Sequence, residues 1–233
     1  QLRNLHVRFI LPLLFGIAGV AVLVSLGVWQ VQRLAWKEEI LARIEAKIAA
    51  EPVALPESPE QEADKYLPVE MTGRFQPGLL RVLVSQKHVG AGYRIISPFE
   101  TEEGRRVLLD RGFIKIDGEM RAPPTGPVEV TGNLHWPDDR NSSTPENDLE
   151  ENMWFARDIG QMAEVFETEP LLVVVREMSP EDTGATPLPV DTSAIPNDHL
   201  EYAITWFSLA VLWAAMTGLL IWRMRQPAKG AET

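Results

Sequence analysis

The chain has 233 residues, a formal net charge of −11 and no cysteine. This length accommodates two membrane segments and one domain of roughly 150 residues with its own hydrophobic core. The absence of cysteine excludes disulfides, thiolate zinc sites, iron–sulfur clusters and a covalently attached c-type haem. Residues 32–201 carry 17 basic against 32 acidic side chains. This balance argues against a nucleic-acid partner, which would need a concentrated basic face.

The first predicted element is a transmembrane helix over residues 9–29, which carry no charge and follow a short tail, residues 1–8. At about 1.5 Å per residue this run spans a hydrocarbon core of about 30 Å. It is longer than the apolar part of a signal peptide and lacks a small-residue cleavage site, so we expect it to remain as an anchor. Apolar residues then recur at helical spacing between Trp36 and Ile48. This pattern predicts that the helix continues through residues 30–50.

The central part of the chain predicts a mostly antiparallel β domain over residues 66–178, either a small barrel or a sandwich. It follows a linker rich in proline and acidic residues, residues 51–65, and precedes a polar loop, residues 179–198. Alternating apolar residues bounded by glycine or proline indicate short strands. The predicted strands are Leu67–Phe75, Leu80–Gln86, Tyr93–Pro98, Arg106–Ile116, Val128–Trp136, Asn152–Arg157 and Leu171–Arg176. Asp158 is expected to cap a short helix that ends at Phe166.

A second transmembrane helix is predicted over residues 199–222, followed by a basic tail, residues 223–233. Basic residues follow this span at once, and the loop before it has none. The positive-inside rule therefore places both termini in the cytoplasm (or matrix) and the acidic domain on the outer side, which is the periplasm if the protein is that of a bacterial inner membrane. Two spans in lipid cannot enclose a pore, so we expect neither a channel nor a carrier. Small side chains at helical spacing are expected to bring the two spans together. They are Ala18, Ala21 and Ser25 on the first span and Ala210, Ala214 and Gly218 on the second.

Signatures of catalysis are missing from the sequence. It contains no Gly-x-Ser-x-Gly, His-Glu-x-x-His, Walker A or Ser-x-x-Lys motif, so we do not expect an enzyme. Asp110-Arg111-Gly112 is interpreted as an ion pair at a strand turn rather than as a reactive cluster. The four histidines are not at metal-ligand spacing, and seven scattered methionines without cysteine argue against a copper chaperone.

His199, at the start of the second span, is the candidate metal ligand. Asn197 or Asp198 can cap this helix, which places His199 in its first turn. The positive end of the helix dipole disfavours a protonated imidazole there and leaves the ring able to bind a metal. The alternative is an interfacial histidine that binds nothing.

Three aromatic residues, Tyr202, Trp206 and Trp213, continue from His199 along one helical stripe. Such a wall suits a flat apolar macrocycle lying along the helix, whereas lipid contact or packing against the first span is the alternative. Three residues of the first span are expected at the depth of His199, namely Arg33, Trp36 and Lys37. The two cations among them could then meet anionic propionates of the macrocycle at the outer surface.

Five stretches of the chain match stretches of a known family. They occur in the same order as in that family and are spread over nearly the whole length of this chain. They are Leu26-Gly27-Val28-Trp29-Gln30-x-x-Arg33-x-x-Trp36-Lys37, Gly92-Tyr93-Arg94-Ile95-Ile96-x-Pro98-Phe99, Val107-Leu108-Leu109-Asp110-Arg111-Gly112-Phe113, Asn152-Met153-Trp154-Phe155-x-x-Asp158 and Pro196-Asn197-Asp198-His199-Leu200-Glu201-Tyr202-Ala203-x-Thr205-Trp206-Phe207. Together with the two-span topology they resemble the SURF1 (Shy1-like) family of cytochrome c oxidase assembly factors. The chain departs from the family pattern at Asp198, where Asn is usual, and at Phe113, where Trp is common.

The resemblance implies a role in the maturation of haem–copper oxidases of the aa3 type. Bacterial members look like haem a binding proteins that take haem a from haem A synthase and help to place it in oxidase subunit I. The family's histidine maps onto His199, which would be the ligand of the haem iron. A scaffold without a cofactor that stabilises subunit I is the alternative function. A homo-oligomer in which two copies share one haem is left open.

Overall fold

The computed structural model describes residues 2–86, 90–193 and 195–226, with residues 2–8 and Gln86 described by their backbone alone. Residues 1 and 227–233 of the predicted tails lie outside the described residues. The chain divides into two compact units, one of residues 1–42 and 193–233 and the other of residues 43–192.

Two helices are long and apolar enough to cross a membrane, as the sequence predicts. Helix α1 is Leu2–Ile48, so part of the predicted tail, the first span and its extension form one helix. At about 1.5 Å per residue it is about 70 Å long. Because this length exceeds a hydrocarbon core of about 30 Å, the charged C-terminal half of α1 lies beyond the apolar part. Helix α4 is His199–Arg225 and begins at the predicted residue.

Eight strands form one mixed sheet in the second unit. They are β1 (Val53–Ala54), β2 (Pro68–Phe75), β3 (Leu80–Gln86), β4 (Gly90–Thr101), β5 (Arg106–Lys115), β6 (Val128–His135), β7 (Met153–Trp154) and β8 (Leu172–Ser179). Their order is β1-β2-β6-β8-β5-β4-β3-β7, and β2 also pairs with β4. This additional pairing closes β2, β6, β8, β5 and β4 into a five-stranded ring. Of the two predicted architectures, the small barrel is therefore the one that forms.

The core is divided in two because neighbouring residues of a strand point to opposite faces. Leu109 and Val173 belong to a cluster drawn from the five ring strands, which fills the barrel. Leu108 and Val174 belong to a second cluster on the outer face, which includes residues of a short helix, α3. Strand β8 is thus buried on both faces, as its uninterrupted apolar run predicts.

Two predicted segments differ in detail and a third is confirmed. The predicted linker contains β1 and a one-turn helix, α2 (Gln61–Asp64), because β1 adds to the sheet beside β2 in parallel register. The predicted strand Asn152–Arg157 is reduced to β7, since Asn152 has a φ of 50° and interrupts the extended backbone. Helix α3 (Ile159–Phe166) begins as predicted, where the carboxylate of Asp158 accepts a hydrogen bond from the backbone N–H of Gln161.

The interpretation of Asp110-Arg111-Gly112 as a local ion pair at a turn is wrong. The motif lies within β5, at an irregularity opposite Ile95 and Ile96 of β4, and not at a turn between strands. Asp110 instead pairs with Arg94 at 2.6 Å, and Arg111 pairs with Asp182 at 2.7 Å.

Candidate functional site

Helix α4 starts without the predicted side-chain cap. Asp198 occupies the N-cap position, but its carboxylate makes no capping hydrogen bond, and its φ of −94° and ψ of 8° are not extended. The side-chain oxygen of Asn197 is buried and has no hydrogen-bond partner among the described residues. The prediction of the helix start is therefore confirmed, whereas the prediction of a side-chain cap is wrong. His199 still lies in the first turn, at the positive end of the helix dipole.

The imidazole of His199 is hydrogen-bonded to a residue of α1 that the sequence did not single out. Its Nδ1 lies 2.8 Å from the side-chain oxygen Oε1 of Gln30. In the Nδ1–H tautomer, this nitrogen donates a hydrogen bond to the amide oxygen of Gln30. In the neutral ring this leaves the lone pair of Nε2 available to a metal. Only 8% of Gln30 is exposed, and although it belongs to the first of the five family-like stretches, no role was predicted for it.

Helices α1 and α4 pack closely at glycine and alanine, though mostly not at the residues predicted. A Cβ at Gly16 would lie 2.2 Å from Thr217, and one at Gly27 would lie 2.7 Å from Phe207. On α4, Ala203 and Ala210 are buried. Of the six predicted small residues only Ala210 is buried, whereas Ala18, Ala21, Ser25, Ala214 and Gly218 are exposed.

The physical reason for this difference is the period of the contact. The α4 residues at the contact recur every seven positions, at Ala203, Ala210 and Thr217, which is the repeat of two helices that stay in contact over several turns. The predicted row of residues four positions apart turns away from the partner helix. The reversed order of the contacts, from Gly16 with Thr217 to Gln30 with His199, shows that the two helices are antiparallel.

The aromatic stripe of α4 divides into an exposed and a packed part. Tyr202 is 55% exposed, and Trp206 is partly buried. Trp213 packs against α1, with its ring centroid 5.5 Å from that of Phe15. Trp213 is also 14 residues from His199, about 21 Å along the helix axis. Tyr202 and Trp206 thus lie near His199, while Trp213 makes the helix contact that the sequence left open as an alternative.

The predicted cations lie on α1, on the side of His199 away from the apolar parts of both helices. The guanidinium carbon of Arg33 lies 3.8 Å from the ring centroid of Trp36, so the two side chains stack. Lys37 follows Gln30 by seven residues, about 10 Å along the same face of the helix. Neither Arg33 nor Lys37 forms an ion pair with any residue within the described ranges.

The donor set around His199 suits the iron of a haem better than a bare metal ion. Within the described ranges no group of three or more His, Cys, Asp or Glu side chains could hold a metal. A haem supplies four nitrogen ligands of its own and needs only an axial ligand from the protein. The arrangement therefore offers one imidazole, a neighbouring aromatic surface and two cations that form no ion pair within the described ranges.

A second polar cluster lies in the barrel domain, and its charges are compensated. Asp110 is fully buried between Arg94 and Arg157, at 2.6 Å and 3.6 Å, and Arg157 pairs with Asp139 at 2.7 Å. Burial opposes the charge of Arg157, but the hydrogen bonds and charge of Asp139 outweigh it and raise the pKa of Arg157. Two carboxylates and two guanidinium groups balance each other, so this cluster is structural.

Comparison with known proteins places the chain in a family. The chain matches the SURF1 family over residues 17–211, from within α1 to within α4. It is 32% identical to Surfeit locus protein 1 of Homo sapiens over 210 residues, which covers 80% of this chain and 69% of the human protein. It is 30% identical over 201 residues to a SURF1-like protein of Rickettsia felis, covering 82% of this chain and 88% of the relative. A SURF1-like protein of Monosiga brevicollis is 33% identical over 215 residues, with 82% and 80% covered. Since the match includes parts of both long helices and the whole barrel, the chain is a member of the SURF1 family.

Proposed function

We propose that this protein is an assembly factor for an aa3-type cytochrome c oxidase, and that it binds haem a at the outer membrane face and assists its insertion into subunit I. The observation that supports this most directly is the pair formed by His199 and Gln30, 2.8 Å apart. Metal-binding histidines usually donate their second ring N–H to a fixed acceptor. Gln30 is such an acceptor.

Each candidate residue has a role in this proposal. His199 provides the axial ligand through Nε2, and Tyr202 and Trp206 offer an aromatic surface to the ring. Arg33 and Lys37 pair with the propionates, and Trp36 supports Arg33 through the stacking contact. The haem is the cargo that this protein would transfer, and the proposal includes no reaction at its iron. Trp213 packs against α1 and is therefore not included in the aromatic surface proposed to contact the haem.

A single protein ligand suits a protein that must pass its cargo on. A haem held by two histidines would have to break two iron–nitrogen bonds before transfer. A haem held by His199 alone would have only one bond to a side chain of this protein to give up on transfer to subunit I. Haem A synthase is the proposed donor and subunit I the proposed acceptor.

The proposed location is the inner membrane of a bacterium, with both termini in the cytoplasm and the barrel in the periplasm. Arg223 and Arg225 lie in the last turn of α4, and the positive-inside rule assigns such residues to the cytoplasmic side. The Rickettsia relative, of similar length, supports a bacterial setting.

The alternative function is a scaffold that stabilises subunit I without a cofactor. One observation favours it, namely that Ala214 and Gly218 on α4 and Ala21 on α1 line an open apolar groove beside the helix contact. Small residues on an exposed helix face allow a further transmembrane helix to approach closely.

A redox difference spectrum of the protein purified from cells that make haem A separates the two functions. We expect a haem a spectrum from the unaltered protein, its loss in His199→Ala and its retention in Ser208→Ala, an exposed residue on the opposite side of α4. An unchanged spectrum in His199→Ala would remove His199 as the ligand. Absence of haem from the unaltered protein would favour the scaffold.

A further inference from the structure

We propose that Gln30 is the positioning residue for His199, which fixes the imidazole as the Nδ1–H tautomer and sets its strength as a ligand. The first half concerns the protein without haem and rests on the structure alone. The second half rests on the proposed function.

The amide side chain of Gln30 is buried in the contact between α1 and α4, where its neighbours are small residues. Gly27 lies one turn before Gln30 on α1, and Ala203 lies one turn after His199 on α4, and both are buried. Burying an amide without a hydrogen-bond partner destabilises the folded protein. The amide oxygen of Gln30 avoids this cost through the 2.8 Å hydrogen bond to His199.

The proposed tautomer is the one in which the Nδ1–H of His199 donates to the amide oxygen of Gln30, 2.8 Å away. Neutral imidazole carries one N–H, and the other nitrogen has a lone pair. With the N–H at Nδ1 held by Gln30, Nε2 is the nitrogen that a metal meets. The hydrogen bond also restricts rotation of the ring, so the ligand is oriented before the haem arrives.

The choice of an amide rather than a carboxylate has a consequence for ligand strength. A carboxylate acceptor would attract the Nδ1 proton more strongly, increase the electron density at Nε2 and tighten the iron–nitrogen bond. A neutral amide orients the ring with a smaller increase in the electron density at Nε2. This is the compromise expected of a ligand that must bind haem and later release it.

The first test needs no haem and is made on the full chain in detergent micelles. Histidine-selective ¹⁵N labelling, with the His199 resonances assigned by comparison with His199→Ala, reports which ring nitrogen is protonated. We expect the Nδ1–H tautomer in the unaltered protein and in Gln30→Glu, and loss of this preference in Gln30→Leu. The matched control is Gln32→Leu, the same substitution at an exposed residue two positions along α1, which should leave the tautomer unchanged. An Nε2–H tautomer in the unaltered protein, or a Gln30→Leu spectrum like that of the unaltered protein, would overturn the proposal.

The second test measures haem affinity and reduction potential in the same variants. We expect Gln30→Leu to weaken haem binding by roughly 10-fold to 100-fold, the usual effect of losing such a partner. Gln30→Glu should restore binding and give a lower reduction potential than the unaltered protein, a shift that a merely structural role would not produce. Equal potentials in the unaltered protein and Gln30→Glu would overturn the tuning role. If the unaltered protein bound no haem, the proposed function would fail, while the ¹⁵N spectra would still decide whether Gln30 holds His199.

Discussion

Arg111 and Asp182 form a salt bridge of 2.7 Å across 71 residues of chain, and their side chains are only 1% and 2% exposed. Asp182 accepts two hydrogen bonds from the guanidinium group, at 2.7 Å and 3.0 Å. It also accepts one from the backbone N–H of Gly184. The pair therefore fixes the polar loop after β8 to strand β5.

Removal of one partner should destabilise the barrel strongly. Asp182→Ala leaves the guanidinium group of Arg111 buried without its counter-ion, and such a loss costs about 3–5 kcal/mol. Urea denaturation of the detergent-solubilised protein, followed by near-ultraviolet circular dichroism, measures the change. The exposed pair of Glu119 and Arg121 is the control, since Glu119→Ala should cost about 1 kcal/mol or less. Equal effects of the two variants would contradict the structural role given to Asp182.

Gly112 should not tolerate a side chain. Its φ is 117°, and a Cβ would lie 2.0 Å from the backbone oxygen of Thr186. Gly112→Ala therefore combines backbone strain with a clash against the loop that Asp182 fixes. Gly104→Ala is the matched control, because Gly104 has a φ of 81° with no atom within 4 Å of a Cβ. In thermal denaturation we expect a small decrease in Tm for Gly104→Ala and a much larger one for Gly112→Ala, and similar decreases would argue against the clash.

His135 should make the barrel less stable in mild acid. Burial, with a contribution from the charge of Arg157, lowers the pKa of His135 to about 3. Between the unfolded value of about 6.5 and that folded value, the unfolded state binds the proton and the folded state does not. Stability is therefore complete above about pH 6.5 and falls as the pH decreases, by at most about 1.4 kcal/mol per pH unit.

Urea unfolding between pH 7 and pH 4.5 isolates this effect, because Asp139, whose pKa is lowered from an ordinary value of 3.8, contributes mainly below that range. His135→Gln should show a shallower loss of stability with decreasing pH than the unaltered protein. Identical slopes in the two proteins would mean that His135 is not the titrating group.

Arg33 and Lys37 of α1 should recognise the carboxylates of a haem. Replacing both Arg33 and Lys37 by Gln should weaken haem binding by up to about 2 kcal/mol, roughly thirty-fold, at about 1 kcal/mol for each exposed ion pair. Titration with the dimethyl ester of the same haem is the control, since the ester has no charge to lose. A variant that weakened the binding of both forms equally would assign the two residues to folding instead.

The proposed topology can be tested with single cysteines on a background that has none. Glu150 in the barrel domain and Gln226 after α4 are both exposed. In intact cells Glu150→Cys should react with a membrane-impermeant maleimide, and Gln226→Cys should react only after the membrane is opened. The opposite pattern would invert the orientation given by the positive-inside rule.

The strands and helix starts could be predicted because their signals are local. Alternating apolar residues bounded by glycine or proline located β2, β3, β5 and β6 to within about two residues. The uninterrupted run of β8 indicated burial on both faces, and the start of the second apolar helix was found at His199.

What the sequence could not indicate were relations between distant residues. Gln30 and His199 are 169 positions apart. The local sequence around a single amide at the end of an apolar run does not identify the residue to which it is hydrogen-bonded. The partners of Asp110 and Arg111 lie 16 and 71 positions away, so proximity in sequence suggested the wrong pair. The wrong small residues were predicted at the helix contact. Small residues on α4 recur both every four and every seven positions, and only the partner helix shows which of the two rows it contacts.

Closure of the barrel leaves each of its five ring strands, β2, β4, β5, β6 and β8, with a neighbour on both sides. Where these strands pair on both sides, they cannot extend their ladders with a segment of another polypeptide, which is how exposed sheet edges capture incompletely folded chains. For the proposed function, this property would limit pairing of the barrel with subunits that are not yet folded. A partner that binds the doubly paired stretches of the ring would therefore contact side chains and loops and not the strand backbone.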